Sequence, residues 1–185
     1  MEHFYKNLGE QWFTYPTLYS TMVSRFPDDS HFVEVGTWKG MSAAYMAVEI
    51  INSGKNIKFD CVDNWEYVEN LQADIPKELY NDLYDTFLNN IAPVKHVINP
   101  IKEISWEGAK HYKDESLDFV FIDAAHDYES VKKDINAWYP KVKKGGVIAG
   151  HDYDWNHDVK RVVDEFCNAN GFAITEMERC WIVNN

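Results

Sequence analysis

The stretch "VEVGTWKGMSAAYMA", residues 33–47, sets the frame for the whole chain. A short apolar run closes on Val35, glycines stand at positions 36 and 40, and small and apolar residues follow. Strand, tight turn and helix is the element order this pattern gives. In an open α/β sheet a turn of this kind, at the carboxyl end of a strand, is where a ligand sits. A dinucleotide's pyrophosphate needs a second glycine two residues after the first, so that the backbone can approach it. Here that position is Trp38, which argues against NAD or FAD. No Gly-Lys-Ser/Thr follows, so a phosphate-cradling P-loop is excluded as well.

Outward from this loop, short apolar runs alternate with amphipathic segments. The runs are HFVEV (31–35), IKFDCV (57–62), VKHVI (94–98), LDFVFI (117–122) and GVIAG (146–150). Helical patterns fall between them, at 40–52, 75–91, 103–111, 128–139 and 157–168. In the second of these Ile75, Leu79, Leu83, Phe87 and Ile91 recur every four residues and predict one buried helical face. Such alternation builds a parallel sheet with helices on both faces. GFAITEM (171–177) and CWIVNN (180–185) flank a short polar turn and predict a closing antiparallel hairpin. The expected fold is a doubly wound, mostly parallel α/β sheet of seven strands, in one domain over residues 1–185. Residues 1–30 are expected to add a helical cap near the mouth of the site.

The composition narrows the partners. With 45% hydrophobic and 15% aromatic residues the chain can bury a substantial core. Thirty acidic against 18 basic side chains give a net charge of -12, a field that repels nucleic-acid backbones and anionic membranes. No stretch approaches the roughly 18 apolar residues of a membrane span, and no signal-peptide pattern opens the chain. Cys61, Cys167 and Cys180 form no CxxC pair, as suits reduced thiols in the cytoplasm. The compact layout is compatible with a homodimer.

The motif that remains at the loop, E-x-G-T-x-x-G, has an acid at the strand end, Glu34, and hydroxyls at Thr37 and Ser42. It suits an amino acid moiety, with a carboxylate near an ammonium and backbone N–H groups meeting a carboxyl. S-adenosylmethionine has both groups. The second strand ends CVDNWE, where Asp63 can accept the hydroxyls of a ribose. FIDAAHDY ends the fourth strand and IAGHDYD the fifth, which brings Asp123, His126, Asp127, His151, Asp152 and Asp154 toward the same crevice. Carboxylates beside imidazoles can hold a divalent cation, orient a hydroxyl and supply a base.

On these segments, above all FIDAAHDYESVKKDINAWYPKVKKGGVIAGHDY, the chain resembles the class I S-adenosylmethionine-dependent methyltransferases from about Phe32 to its C-terminus. Within them it is similar to the macrolide-sugar O-methyltransferases and cephalosporin hydroxylase-like proteins. The resemblance implies a Rossmann-like fold. It implies that Glu34, Gly36, Thr37, Gly40 and Ser42 line the methionine portion, that Asp63 holds the ribose, and that Asn64 and Trp65 border the adenosine. It also implies magnesium on Asp123 and Asp152, with Asp123 bordering the cofactor too, and His126 as base. His151 stands where the sugar methyltransferases carry an acid, and is either a second catalytic group or a residue that orders its loop.

Structural roles are expected elsewhere. Asp127 reads as the cap of the helix that follows it, and KVKKGG as a solvated turn. Trp12, Phe13 and Tyr15 are either cap packing or acceptor-pocket lining. The function expected is O-methylation of a small hydroxylated acceptor such as a sugar, or, alternatively, non-catalytic binding of S-adenosylmethionine by a scaffold of the same fold.

Overall fold

β-branched and aromatic residues alternate along the central strands, and their two faces divide the core. The computed structural model describes residues 1–69 and 75–185. Its seven strands are β1 (His31–Val35), β2 (Lys58–Asp63), β3 (Ile98–Lys102), β4 (Leu117–Ile122), β5 (Val142–Gly150), β6 (Thr175–Met177) and β7 (Cys180–Asn184). They lie in the order β3-β2-β1-β4-β5-β7-β6. The first five are parallel, and β7 runs antiparallel to both β5 and β6. The fold is thus the Rossmann-like, mostly parallel sheet with a closing hairpin that the sequence predicts.

Phe32, Phe59, Cys61, Phe119 and Phe121 pack with α1 (Pro16–Arg25), α2 (Met41–Ser53) and α3 (Leu83–Ile91) on one face. Val33, Val35, Val62, Val120 and Ile122 pack on the other with α5 (Tyr128–Trp138) and α6 (His157–Asn170); the short α4 (Ser105–Gly108) follows β3. Strand order reverses between β1 and β4, so their carboxyl ends diverge into a crevice. No helix among the described residues is long and apolar enough to cross a membrane.

Three expectations need correction. The third strand is Ile98–Lys102, not residues 94–98; Val94 instead ends a 3-10 turn, Ala92–Val94, buried in the core. Pro100 obscured this strand, but β3 pairs only with β2 and lies at the sheet edge, where a missing N–H is tolerated. The helix expected over 75–91 is broken. A 3-10 turn, Lys77–Tyr80, precedes Asp82 in a left-handed conformation (φ 54°), and only Leu83, Phe87 and Ile91 of the stripe are buried. Tyr80 turns instead to pack edge-on against Trp38, ring centroids 5.0 Å apart. KVKKGG is not a free turn: it opens β5, which is irregular between Val142 and Val147, with Gly145 at φ 80°.

Below the crevice, the Asp60 carboxylate of β2 takes three side-chain partners, His31 Nε2 at 2.8 Å, Tyr112 Oη at 2.7 Å and Asn99 Nδ2 at 3.0 Å. Burial raises its pKa, but these partners outweigh burial and hold it below the ordinary aspartate value. Asp60→Ala should therefore lower the unfolding free energy by about 2–4 kcal/mol at neutral pH, since the buried Tyr112 hydroxyl and two partly exposed donors lose one charged acceptor. A group with a depressed folded pKa stabilises above its unfolded value and loses that contribution as pH falls through the folded one. The deficit, read from denaturant melts, should shrink in acid. An equal deficit at both pH values would mean that packing alone is lost.

Candidate active site

The glycine loop is held by a carboxylate from the neighbouring strand. Asp63 Oδ2 accepts the backbone N–H groups of Thr37 at 2.8 Å and Trp38 at 3.0 Å, and its Oδ1 accepts that of Trp65 at 2.8 Å. Burial raises the Asp63 pKa and the backbone donors pull it back. Gly36 has φ 81°, and a Cβ there would stand 2.1 Å from the Asp123 carbonyl oxygen, so only glycine lets the β1 and β4 ends meet. Trp38 also adopts a left-handed conformation, φ 48°. Its carbonyl accepts from the Trp65 indole at 3.0 Å, and its own indole donates to Glu10 at 3.1 Å. Glu10 pairs with Lys39 as well, at 2.6 Å, which ties the N-terminal segment across the loop.

No side chain caps α2, whose first turn, Met41 and Ser42, lines the crevice. Its free N–H groups and helix dipole face that space. The Thr37 hydroxyl beside them is buried and has no hydrogen-bond partner among the described residues.

The ends of β4 and β5 carry the acidic and imidazole groups. His126 Nε2 lies 3.1 Å from Asp152 Oδ2 and 3.6 Å from Asp123 Oδ1, in ion-pair contact without hydrogen-bond alignment. Burial disfavours its charged form, but the two carboxylates outweigh that and push its pKa up to about 10. A single ligand atom from each of Asp123, His126 and Asp152 falls within 4.8 Å of the others, close enough for one cation to touch all three. Asp152 is strained into the left-handed region, φ 59°, and its two histidine neighbours overcome burial to lower its pKa. His151 Nδ1 stands 3.1 Å from Asp152 Oδ1, and its Nε2 meets Thr14 Oγ1 at 2.9 Å. Tyr15 Oη donates to Asp123 Oδ2 at 3.0 Å.

These groups line one cleft of about 490 Å³ together with Gly36, Thr37, Ser42, Asp63 and Asn64, a volume typical of small-ligand sites. Trp12, Phe13 and Tyr15 also line it, although Tyr15 is at the same time part of the core. Three expected residues do not line it. Glu34 is buried behind the loop, where Ser42 Oγ donates to it and burial raises its pKa to about 8. At Gly40 a Cβ would meet Phe87 and Ile91 side chains at 2.9 Å, so that glycine serves helix packing. Trp65 is buried against Phe87 and Tyr84. Asp127 caps α5 as expected, its Oδ1 accepting the Ser130 N–H at 3.0 Å.

Sequence reasoning missed Glu10, Thr14, Arg179 and Asp134. Arg179 reaches the cleft from the hairpin turn and pairs with Asp154 at 3.1 Å. Only Asp134 left a signal. It stands among Val131, Ile135 and Trp138 on the buried face of α5, an acid where that face calls for an apolar residue.

A family model described as a methyltransferase domain matches residues 33–153, well over half of the chain. An uncharacterized protein of Acanthamoeba polyphaga mimivirus is 29% identical over 147 residues, 75% of this chain, and the chain spans 59% of that protein's length. Among solved structures, the O-methyltransferase NovP superposes with a TM-score of 0.70 at 16% identity, covering 92% of this chain and 78% of NovP. The TDP-rhamnose 3'-O-methyltransferase of calicheamicin biosynthesis gives 0.61 at 12% identity, over 91% and 76%. Aeropyrum pernix fibrillarin, with natively bound S-adenosyl-L-methionine, gives 0.56 at 13% identity, over 90% and 72%. The structures share the fold, and the family model, spanning the glycine loop and both acidic strand ends, establishes that this chain belongs to the methyltransferase-domain family.

Proposed function

We propose that the protein transfers the methyl group of S-adenosylmethionine to a hydroxyl of a small acceptor, a sugar being the leading class. The observation that carries this is the convergence in one cleft of an uncapped helix N-terminus with a buried, unpartnered hydroxyl and the Asp123–His126–Asp152 cluster. The first pair suits an amino acid carboxyl. Asp63 has spent both acceptor directions of Oδ2 on the loop, which leaves Oδ1 as its face toward a ribose. Trp38 stands at the loop position where a pyrophosphate needs glycine, and its bond to Glu10 holds it over the loop, which supports this cofactor over a dinucleotide.

Methyl transfer forms an oxygen–carbon bond as the sulfonium–carbon bond breaks, and the hydroxyl proton must leave. The chain's task is alignment of the acceptor oxygen and removal of that proton. His126 is the proton acceptor in this reading: beside two free carboxylates its imidazole holds a proton, and a cation on Asp123 and Asp152 would leave it neutral and able to accept one, while Tyr15 and His151 orient the carboxylates around it. The Asp123 and Asp152 carboxylates come close enough together to fit a divalent cation such as magnesium, a hard ion that takes oxygen ligands. Asp123 and Asp152 would hold it, and it would lower the acceptor's pKa and supply the positive charge that otherwise resides on the imidazole. The net charge of -12 favours a small acceptor over a nucleic acid.

Calorimetry should detect S-adenosylhomocysteine and no NAD; binding of NAD alone would overturn the cofactor assignment. With S-adenosylmethionine, turnover should appear in a panel of sugars, polyols and catechols, and transfer only to an RNA included in that panel would replace the acceptor class. On a working acceptor, His126→Ala should cut kcat by roughly 10²–10⁴-fold with little change in cofactor affinity. Near-normal kcat in that variant, with loss in His151→Ala, would move the base to the β5 end. Chelation should depress turnover and added magnesium restore it, whereas full activity in excess chelator would leave the aspartates as hydrogen-bonding groups.

A further inference from the structure

Glu178 and Arg179 make the two-residue turn between β6 and β7, and both are left-handed, with φ 52° and 67°. Asn-Gly takes such a turn most readily, because other side chains are disfavoured on a left-handed backbone. Glu178 accounts for its presence: its carboxylate accepts the N–H groups of Thr17 at 3.3 Å and Leu18 at 3.0 Å, at the start of α1. Arg179 has no such role in the packing. Its one side-chain partner among the described residues is Asp154, 3.1 Å from Nε, and an ion pair with both members about half exposed adds little to stability.

The position of this strained arginine gives it a use. The Arg179 carbonyl accepts the Tyr153 N–H at 3.1 Å, so Tyr153 and Asp154 hold its backbone and its Nε just beyond Asp152. The side chain lines the cleft, and among the described residues Lys39 is the other Lys or Arg that does so. Lys39 lies in the glycine loop and is paired with Glu10 at 2.6 Å. With Nε on Asp154, the two terminal nitrogens of Arg179 are without a partner among the described residues. A planar guanidinium edge of this kind matches the oxygens of a carboxylate or a phosphate. Trp155, which follows Asp154, is 67% exposed and lines the cleft as well, leaving an indole face for a ring.

Resting on the reading that the cleft methylates a sugar hydroxyl, we propose that Arg179 selects an acidic acceptor, binding a carboxylate or phosphate of the sugar through its two terminal nitrogens while Trp155 covers the ring. The anionic group is thereby fixed at the hairpin turn, and a hydroxyl of the same ring is turned toward the Asp123–His126–Asp152 cluster. In a chain of net charge -12 such an acceptor needs a local cation at the cleft.

Calorimetry on the protein saturated with S-adenosylhomocysteine, at fixed ionic strength, compares glucose, glucuronate and glucose 6-phosphate. At least one anion should bind about tenfold or more tightly than glucose, the effect of one charge-assisted pair, and the tighter of the two tells carboxylate from phosphate. Arg179→Gln should bring all three within about twofold of one another with S-adenosylhomocysteine affinity unchanged, and Arg179→Lys, which keeps the charge without the fork, should retain part of the preference. Arg179→Gly should also lose the preference yet melt no lower than the wild type, since glycine relieves the left-handed turn. A glycine variant that melts far lower would make the residue structural and overturn the proposal. So would the absence of an anion preference in the wild type, a preference that survives in Arg179→Gln, or weakened S-adenosylhomocysteine binding in that variant. Failure of the wild type to bind S-adenosylhomocysteine at all would instead overturn the cofactor assignment, so the two failures are distinguishable.

Discussion

Three backbone N–H groups converge on the Asp63 carboxylate, and the geometry of the cleft depends on them. Hydrogen bonds to a charged acceptor contribute about 1.5–3 kcal/mol each, enough to hold the glycine loop in a conformation that Trp38 would not adopt unaided. The strain at Trp38 is then useful. Its carbonyl meets Trp65 and its indole meets Glu10, so one carboxylate on β2 fixes the loop from inside while the N-terminal segment fixes it from outside.

The same N-terminal segment reaches the opposite end of the cleft. Thr14 meets His151 and Tyr15 meets Asp123, while Glu178, in the hairpin turn, receives the Leu18 N–H at 3.0 Å and so supplies the cap that α1 lacks locally. A strap of about six residues thereby touches the loop after β1 and the ends of β4 and β5. Two carboxylates and two imidazoles packed there balance one another's charge, which lets acidic groups stay close in a half-buried site. The arrangement is polar at the reacting end and aromatic at the mouth, where Trp12 packs on Trp38 with ring centroids 5.7 Å apart.

Errors in the sequence reading fell where tertiary packing overrides local pattern. Residues 94–98 have strand composition, but Val94 is drawn into the core and the edge position of β3 admits Pro100 instead. The four-residue spacing from 75 to 91 is helical throughout, but Asp82 breaks it and Tyr80 packs on Trp38 rather than on the sheet. Gly40 and Glu34 keep their match to a ligand-binding motif and also meet neighbours from the protein interior. Motif spacing records that a glycine or an acid is needed, not which neighbour needs it.

Strand and helix periodicity, the glycine turn and the acids at strand ends are local properties, written in residue type and spacing. They were sufficient for the sheet, its closing hairpin and the crevice at β1 and β4, because burial of alternating apolar faces leaves few other ways to stack these elements. Which polar atoms find partners is a different matter, decided by contacts between residues far apart in the chain. Asp63 closing on the loop, and Glu10 and Thr14 arriving from the N-terminus, follow only from the folded arrangement, since hydrogen-bond satisfaction depends on distances that no spacing in the sequence encodes.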